Sequence, residues 1–349
     1  MGVESRDDWA DLIADTWGRR MAPVFKDVWF EARRHIHKAS RLSADEDVFF
    51  LTSTSHMGDP AQRTDRYIHQ FAADRLREHL RWVLVYGEEE DLVSIEMHPA
   101  EYRYIAYLDA IDGSAQAWSL PGAWGHVVVI QEYRGMQTDA AGNRVRRFEP
   151  RFVGVLDAEG GTATGEAAMN FVTVNMIDQP DSDVEEGDQE YEQGTDFEVT
   201  GSPVVLVGGY KANWWSRFSS VRSRLVDAMP RAHVFNTAGA PCVRKVIQNA
   251  DNVIVQLTPS TLWDGAAAAL VARAGGFVVA LGQTEPLGND DVWAWWGRFG
   301  FEPDADDPDR WVPAACVPPF VAGMDRDHVL AVAECCFDLP DLPATGASR

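Results

Sequence analysis

The 349-residue chain carries 54 Asp plus Glu against 31 Lys plus Arg, a formal net charge of −23, which excludes a protein that grips nucleic acid mainly by neutralising its phosphates. With 46% hydrophobic residues and 13 Trp it has the material for a large core, arranged as two subdomains or one large layered domain. The four cysteines, Cys242, Cys316, Cys335 and Cys336, include no C-x-x-C pair, which argues against a disulfide framework or structural zinc and fits a reducing cytoplasm.

The N-terminal stretch "MGVESRDDWADLIADTWGRRM" has acids where a signal peptide would have a basic patch, and nothing approaches the roughly 18 apolar residues of a membrane span. A cytoplasmic protein with no membrane partner is expected. Trp9, Leu12, Ile13, Trp17 and Met21 recur at helical spacing behind Ser5, and the pattern resumes after Pro23 with Val24, Val28 and Ala32. A second amphipathic helix is expected from about Asp65 to Leu80, with Ile68, Phe71, Ala72, Leu76 and Leu80 on one face. "WVLVYGEEED" then reads as a short buried strand ending at Gly87 and a run of acids, and "YRYIAYLDAIDGS", "GHVVVIQEY" and "RFVGVLDAEGG" read as further strands.

The acid-rich segment Asp181 to Glu198 has no periodicity and is expected to be a solvated loop between an N-terminal α+β part, residues 1–198, and a C-terminal α/β part, residues 199–349. In the second part "SPVVLVGGY", "AHVFN", "NVIVQL" and "FVVAL" alternate with the helical "NWWSRFSSVRSRLVDAM" and "WDGAAAALVARAGG", and Gly275-Gly276 stops the Ala-rich helix. Residues 284–317 look like an insertion before a last strand and helix, "PPFVAGMDRDHVLAVAECC".

Acidic residues stand where these elements begin or end: Asp65, Glu88, the pair Asp109 and Asp112, and Asp264. Each has an ordinary reading. Asp65 and Asp264 could cap helices, Glu88 could lie in a solvated turn, and the Asp109/Asp112 pair could form an Asx turn. Together they suggest a hard-cation site, because magnesium prefers carboxylate, carbonyl and water oxygens and lets a substrate phosphate complete its shell. A strand ending at Asp109 and turning through Ala110 and Ile111 can aim both carboxylates and the Ile111 carbonyl into one pocket. Gly113 permits close backbone approach, and a helix starting at Ser114 would point free N–H groups at a phosphate.

The motifs "GEEE" at 87–90, "DAIDGS" at 109–114 and "WDGAAAALVARAGG" at 263–276, preceded by Thr64-Asp65 in "QRTDRYIHQF", occur in the order found in the lithium-sensitive, magnesium-dependent phosphatases. In these motifs, across most of its length, the chain resembles the inositol monophosphatase/fructose-1,6-bisphosphatase superfamily. The resemblance implies an α/β (α+β) fold, a layered α/β/α/β/α sandwich of the inositol monophosphatase and sugar phosphatase type. It also implies that Glu88, Asp109 and the Ile111 carbonyl bind one Mg2+, that Asp109, Asp112 and Asp264 bind a second, and that a weaker third sits near Glu88 and Asp65. Gly113 and Ser114 would contact the phosphate, while the Ser114 hydroxyl, Thr64 and Asp65 help to orient the attacking water.

Departures from the pattern lie outside the implied ligands. Ala110 replaces the usual proline, Gln116 stands near a usual asparagine, and Arg273 replaces the acid before A-G-G. Leu257 falls about where the inositol phosphatases place a substrate-contacting Glu, with Gln256 beside it, and their G-[ST]-A turn reads "NTAGAPC" here. The expectation is therefore a phosphatase of a sugar or cyclitol phosphate other than myo-inositol phosphate. A 3′-phosphonucleotide phosphatase and a non-catalytic relative used for binding are the alternatives. A phosphorylated small molecule is the expected partner, a nucleic acid polymer is not, and a homodimer is possible. Lys211, Arg244 and Lys245 are cations near strand ends that could hold a second phosphate or carboxylate.

Overall fold

The computed structural model describes residues 17–41, 51–54, 60–87, 102–113, 124–138, 142, 144–177, 204–208, 215–237, 239–307 and 309–336. The expected helix turns before Trp17, the motif residues Glu88 and Ser114, and the acid-rich segment 181–198 lie outside them.

Helix α1 (Trp17–Arg41) runs through Pro23 without a break, where the sequence suggested an interruption. A proline inside a helix costs about 3 kcal/mol. Met21, Val24, Phe25, Val28, Trp29 and Ala32 are all buried along the same helix, and that burial offsets the loss. A short hairpin, β1 (Leu51–Thr54) with β2 (Pro60–Gln62), leads into α2 (Arg63–His79). A six-stranded sheet follows in simple sequence order: β3 (Val83–Gly87), β4 (Tyr104–Asp112), β5 (Gly125–Thr138), β6 (Arg144–Asp157), β7 (Gly161–Glu166) and β8 (Val172–Met176).

The two-residue repeat of β4 fixes which core each side chain joins. Ala106 and Leu108 face α1 and α2, together with Val128, Ile130, Phe152 and Leu156. Ile105 and Tyr107 face the opposite way, with Val127, Val129, Val153 and Val155, into the middle of the molecule. That middle layer holds a 3-10 turn (Ala240–Cys242), α4 (Val243–Gln248) and α5 (Ala266–Arg273), with α3 (Trp215–Ala228) preceding them in the chain. Every residue of α5 is buried, as expected of a short Ala-rich helix pressed between two sheets. It ends as its glycines dictate: Gly275 has φ +83°, and the N–H groups of Gly275 and Gly276 donate back to Ala272 and Val271.

The second sheet has the order β10-β9-β11-β15-β12, built from β9 (Val204–Gly208), β10 (His233–Thr237), β11 (Val253–Gln256), β12 (Phe277–Ala280) and β15 (Phe320–Gly323). Leu206, Ile254, Val278, Phe320 and Ala322 point into the middle layer. Val205, Val207, Val255, Val279 and Val321 point outward, against α3 and α7 (Arg326–Cys336). The architecture is the expected α/β/α/β/α sandwich.

Residues 284–317 are part of the core rather than an appended insertion. They form α6 (Asn289–Trp293), a 3-10 turn (Ala294–Gly297) and the hairpin β13 (Phe301–Pro303) with β14 (Trp311–Pro313). Trp293, Trp296 and Phe301 are buried in the middle layer, and the two indole N–H groups donate to the carbonyls of Ala269 and Leu262. Tyr107 joins this segment to the first sheet: its hydroxyl donates to Gln131 Oε1 at 2.9 Å and accepts the Gly300 N–H at 3.1 Å. Gln131 in turn donates to the carbonyls of Trp296 and Arg298.

Candidate functional site

A strand that kept strict alternation would send Asp109 and Asp112 to opposite faces of the sheet. The pairing of β4 with β5 instead shifts register between them. Asp109 stands opposite Val127 and Asp112 opposite Gly125, so three steps on β4 match two on β5. This bulge buries Ala110 and Ile111 and leaves both aspartates half-exposed at the same end of the strand. Gly113 follows at φ +84°, a left-handed conformation that favours glycine. The Asx-turn reading is also correct in part, because Asp109 Oδ1 accepts the Ile111 N–H at 3.1 Å.

Asp264 is brought to the same place from the other half of the chain. Trp263 is wholly buried and stacks on Tyr107 with ring centroids 6.2 Å apart, which anchors the loop into α5 at the residue just before Asp264. Thr261 Oγ1 accepts the Asp264 N–H at 3.2 Å, and the helix cap is Gly265, so Asp264 is not the N-cap. Asp112 Oδ2 accepts the Ala240 N–H at 3.2 Å, and a side chain at Gly239 would meet the Asp264 carbonyl at 3.5 Å. Burial and the like charge of Asp264 push the Asp112 carboxyl up to about 7, against the smaller downward pull of the Ala240 N–H.

On the helical side, Thr64 and Asp65 are buried in the first turn of α2. The helix begins at Arg63, so Asp65 is not its cap either. His69, one turn on, packs its ring against Gly87, whose register partner is Leu108, the neighbour of Asp109. His126 is buried beside the backbone of Asp109 and Ala110, and burial lowers its pKa to about 4. Of the implied site residues, Thr64, Asp65, Asp109, Ile111, Asp112, Gly113 and Asp264 are described, and the like-charge coupling joins Asp112 with Asp264. Glu88 and Ser114 lie outside the described residues. Among the described residues no group of three or more His, Cys, Asp or Glu is disposed to hold a metal ion.

The sequence reading did not find the parts played by Ala240 and Thr261. "NTAGAPC" was visible only as a departure from a pattern, and nothing local showed that its backbone would reach Asp112. Two of the three cations that could hold a second anion are used elsewhere. Arg244 pairs with Asp157 and Glu159, and Lys245 donates to Glu159 at 3.0 Å. Lys211 is outside the described residues.

Comparison with solved structures decides the architecture. The extragenic suppressor protein suhB from Bartonella henselae superposes with a TM-score of 0.57 at 13% identity, covering 92% of this chain and 98% of that one. The chain has the inositol monophosphatase fold. An inositol monophosphatase–fructose 1,6-bisphosphatase gives 0.55 at 12% identity, with 92% and 99% covered. The Thermotoga maritima inositol monophosphatase gives 0.52 at 15%, with 90% and 95% covered. No protein-family model and no curated protein matches the sequence. The Asp109–Asp112 bulge closes the end of β4, and Asp264 follows directly on Trp263, whose ring stacks on Tyr107 of the same strand. No helix among the described residues is long and apolar enough to cross a membrane.

Proposed function

We propose that this chain is a magnesium-dependent phosphatase that hydrolyses a phosphate monoester of a small molecule, a sugar or cyclitol phosphate other than myo-inositol phosphate. The observation that carries the reading is the Asp112–Asp264 pair: two like-charged carboxylates from distant segments act on one another at a cost that a cation would relieve. That donor chemistry fits magnesium, which needs only a few carboxylates and completes its shell with water and phosphate oxygens. Asp109, Asp112, Asp264 and the Ile111 carbonyl, with Glu88, would hold two or three ions. Magnesium there would supply Lewis acidity and acidify a bound water.

The chain's own groups set the geometry. Ala240 N–H orients Asp112, and Thr261 fixes the loop that presents Asp264. Gly113 and Ser114 would hold the phosphate through backbone and hydroxyl donors, while Thr64 and Asp65 would orient the attacking water. Displacement is in line and needs no covalent intermediate. The shared fold supports this reading, as does the order of the four motifs.

The test is phosphate release by metal-stripped protein, with and without magnesium, from sugar phosphates, inositol phosphates and 3′-phosphonucleotides. Magnesium-dependent release that disappears in Asp112→Asn is the expected result. Release from 3′-phosphonucleotides alone would overturn the substrate class, and no release from any compound would overturn the phosphatase reading.

A further inference from the structure

The bulge that keeps Asp109 and Asp112 at one end of β4 has a single residue facing it. Between the pairs Asp109–Val127 and Asp112–Gly125, β4 inserts Ala110 and Ile111, while β5 offers His126 alone. The extra residue of a bulge leaves the ladder, so the backbone groups there need partners from elsewhere. On the donor side the Asp109 carboxylate already accepts the Ile111 N–H at 3.1 Å.

His126 is wholly buried on the helix side of the sheet, where its ring meets Phe25 edge-on with centroids 5.9 Å apart. A neutral imidazole carries an N–H in either tautomer, and burying that donor without an acceptor is costly. Among the described residues neither ring nitrogen has a partner at hydrogen-bond geometry. The backbone groups that act on the ring are those of Ala110 and Asp109, which draw a proton to it, and its titratable neighbour is His69. His69 lies one turn after Asp65 on α2, so buried polar residues lead from that helix to the bulge.

We propose that His126 is a positioning residue of the magnesium site: its ring N–H holds the carbonyls of the bulge, and thereby fixes the directions of the Asp109 carboxylate and the Ile111 carbonyl. The assignment rests on the magnesium site of the phosphatase proposed above. His126 acts through the backbone of the ligating residues and is not itself a ligand; such outer hydrogen bonds orient the groups that hold a metal. Without it the bulge would be free to relax toward regular pairing, and strict alternation would send the two aspartates to opposite faces.

The test replaces His126 by Phe, which keeps a flat ring and removes the donor, and by Asn and Gln, whose amides return an N–H near each ring nitrogen in turn. Melting curves establish which variants are folded, and calorimetric titration of the metal-stripped full chain with magnesium reads the effect without turnover. His126→Phe should bind magnesium about 10–100-fold more weakly, the range for losing an outer hydrogen bond to a metal ligand. Either Asn or Gln should recover most of that loss, and in turnover kcat should fall more than KM rises. Unchanged affinity in His126→Phe, or no recovery by either amide, would overturn the assignment. If His126→Phe does not fold, the imidazole nitrogen spectrum of the unmodified, metal-free chain decides. A slowly exchanging His126 N–H with cross-relaxation to the Ile111 N–H is expected; a fast-exchanging N–H, or one close to His69 alone, overturns the assignment. Magnesium binding by the unmodified chain without phosphate release from any monoester would overturn the phosphatase reading and leave the bulge assignment to the affinities. A chain that binds no magnesium would overturn both.

Discussion

The backbone N–H of Ala240 donates to Asp112 Oδ2 at 3.2 Å, across 128 positions of sequence. That bond is the smaller influence on Asp112; burial and the facing Asp264 are the larger ones, and both disfavour the ionised carboxylate. A site held together by a repulsive pair should respond to pH, to charge and to divalent cations.

The pH response has a definite sign. Folding raises the Asp112 pKa from 3.8 to about 7, so its penalty on metal-free protein is absent below pH 4 and complete above pH 7. His126 acts oppositely, since its lowered pKa of about 4 makes the fold less stable as pH falls below 6.5. The melting temperature alone mixes the two effects, but the gain on adding magnesium isolates the first. That gain should be several degrees larger at pH 8 than at pH 5. Equal gains would contradict the account of the carboxylate pair.

Asp112→Asn removes the repulsion while keeping size and the acceptor for Ala240. Metal-free Asp112→Asn protein at pH 8 should be about 1–3 kcal/mol more stable than the unmodified chain. Its magnesium-dependent phosphate release should vanish. A variant both less stable and still active would refute the pairing.

Gly87 has no room for a side chain: a Cβ would lie 2.1 Å from His69 Cε1 and 2.8 Å from the Leu108 carbonyl. Gly87→Ala should cost about 2–3 kcal/mol by overpacking. Adding His69→Ala should restore part of the loss, because the ring contact is removed while the carbonyl contact remains. Additive effects in a denaturant-unfolding cycle would show that the ring is not the obstacle.

Tyr107→Phe leaves Gln131 Oε1 and the Gly300 N–H without their shared partner in the core. Loss of about 1–3 kcal/mol is expected, read as a lower urea midpoint with unchanged slope. A change under 0.5 kcal/mol would mean that the hydroxyl does not bind residues 284–317 to the sheet.

Arg244→Met tests whether this cation is committed to Asp157 and Glu159. Asp157 is buried and would keep only the N–H groups of Glu159 and Gly161, so about 2–4 kcal/mol of stability should be lost. KM for a substrate with two anionic groups should not move. A raised KM would return Arg244 to the binding surface.

The chain determined by itself whatever depends on neighbours a few residues apart. The two-residue repeat of β4, the Ala-rich helix stopped at Gly275 and the left-handed Gly113 are local consequences of side-chain shape and backbone freedom. The motif order made the acids legible as a set. Only the tertiary structure decided what depends on distant segments: that a bulge against β5 keeps Asp109 and Asp112 at one end, that Ala240 reaches Asp112, and that residues 284–317 supply core tryptophans. It also turned Gln256 toward Gly208 and Gly239 and Leu257 into the outer core. Which face of a strand meets a site is set by sheet packing, and periodicity alone cannot tell one buried face from the other.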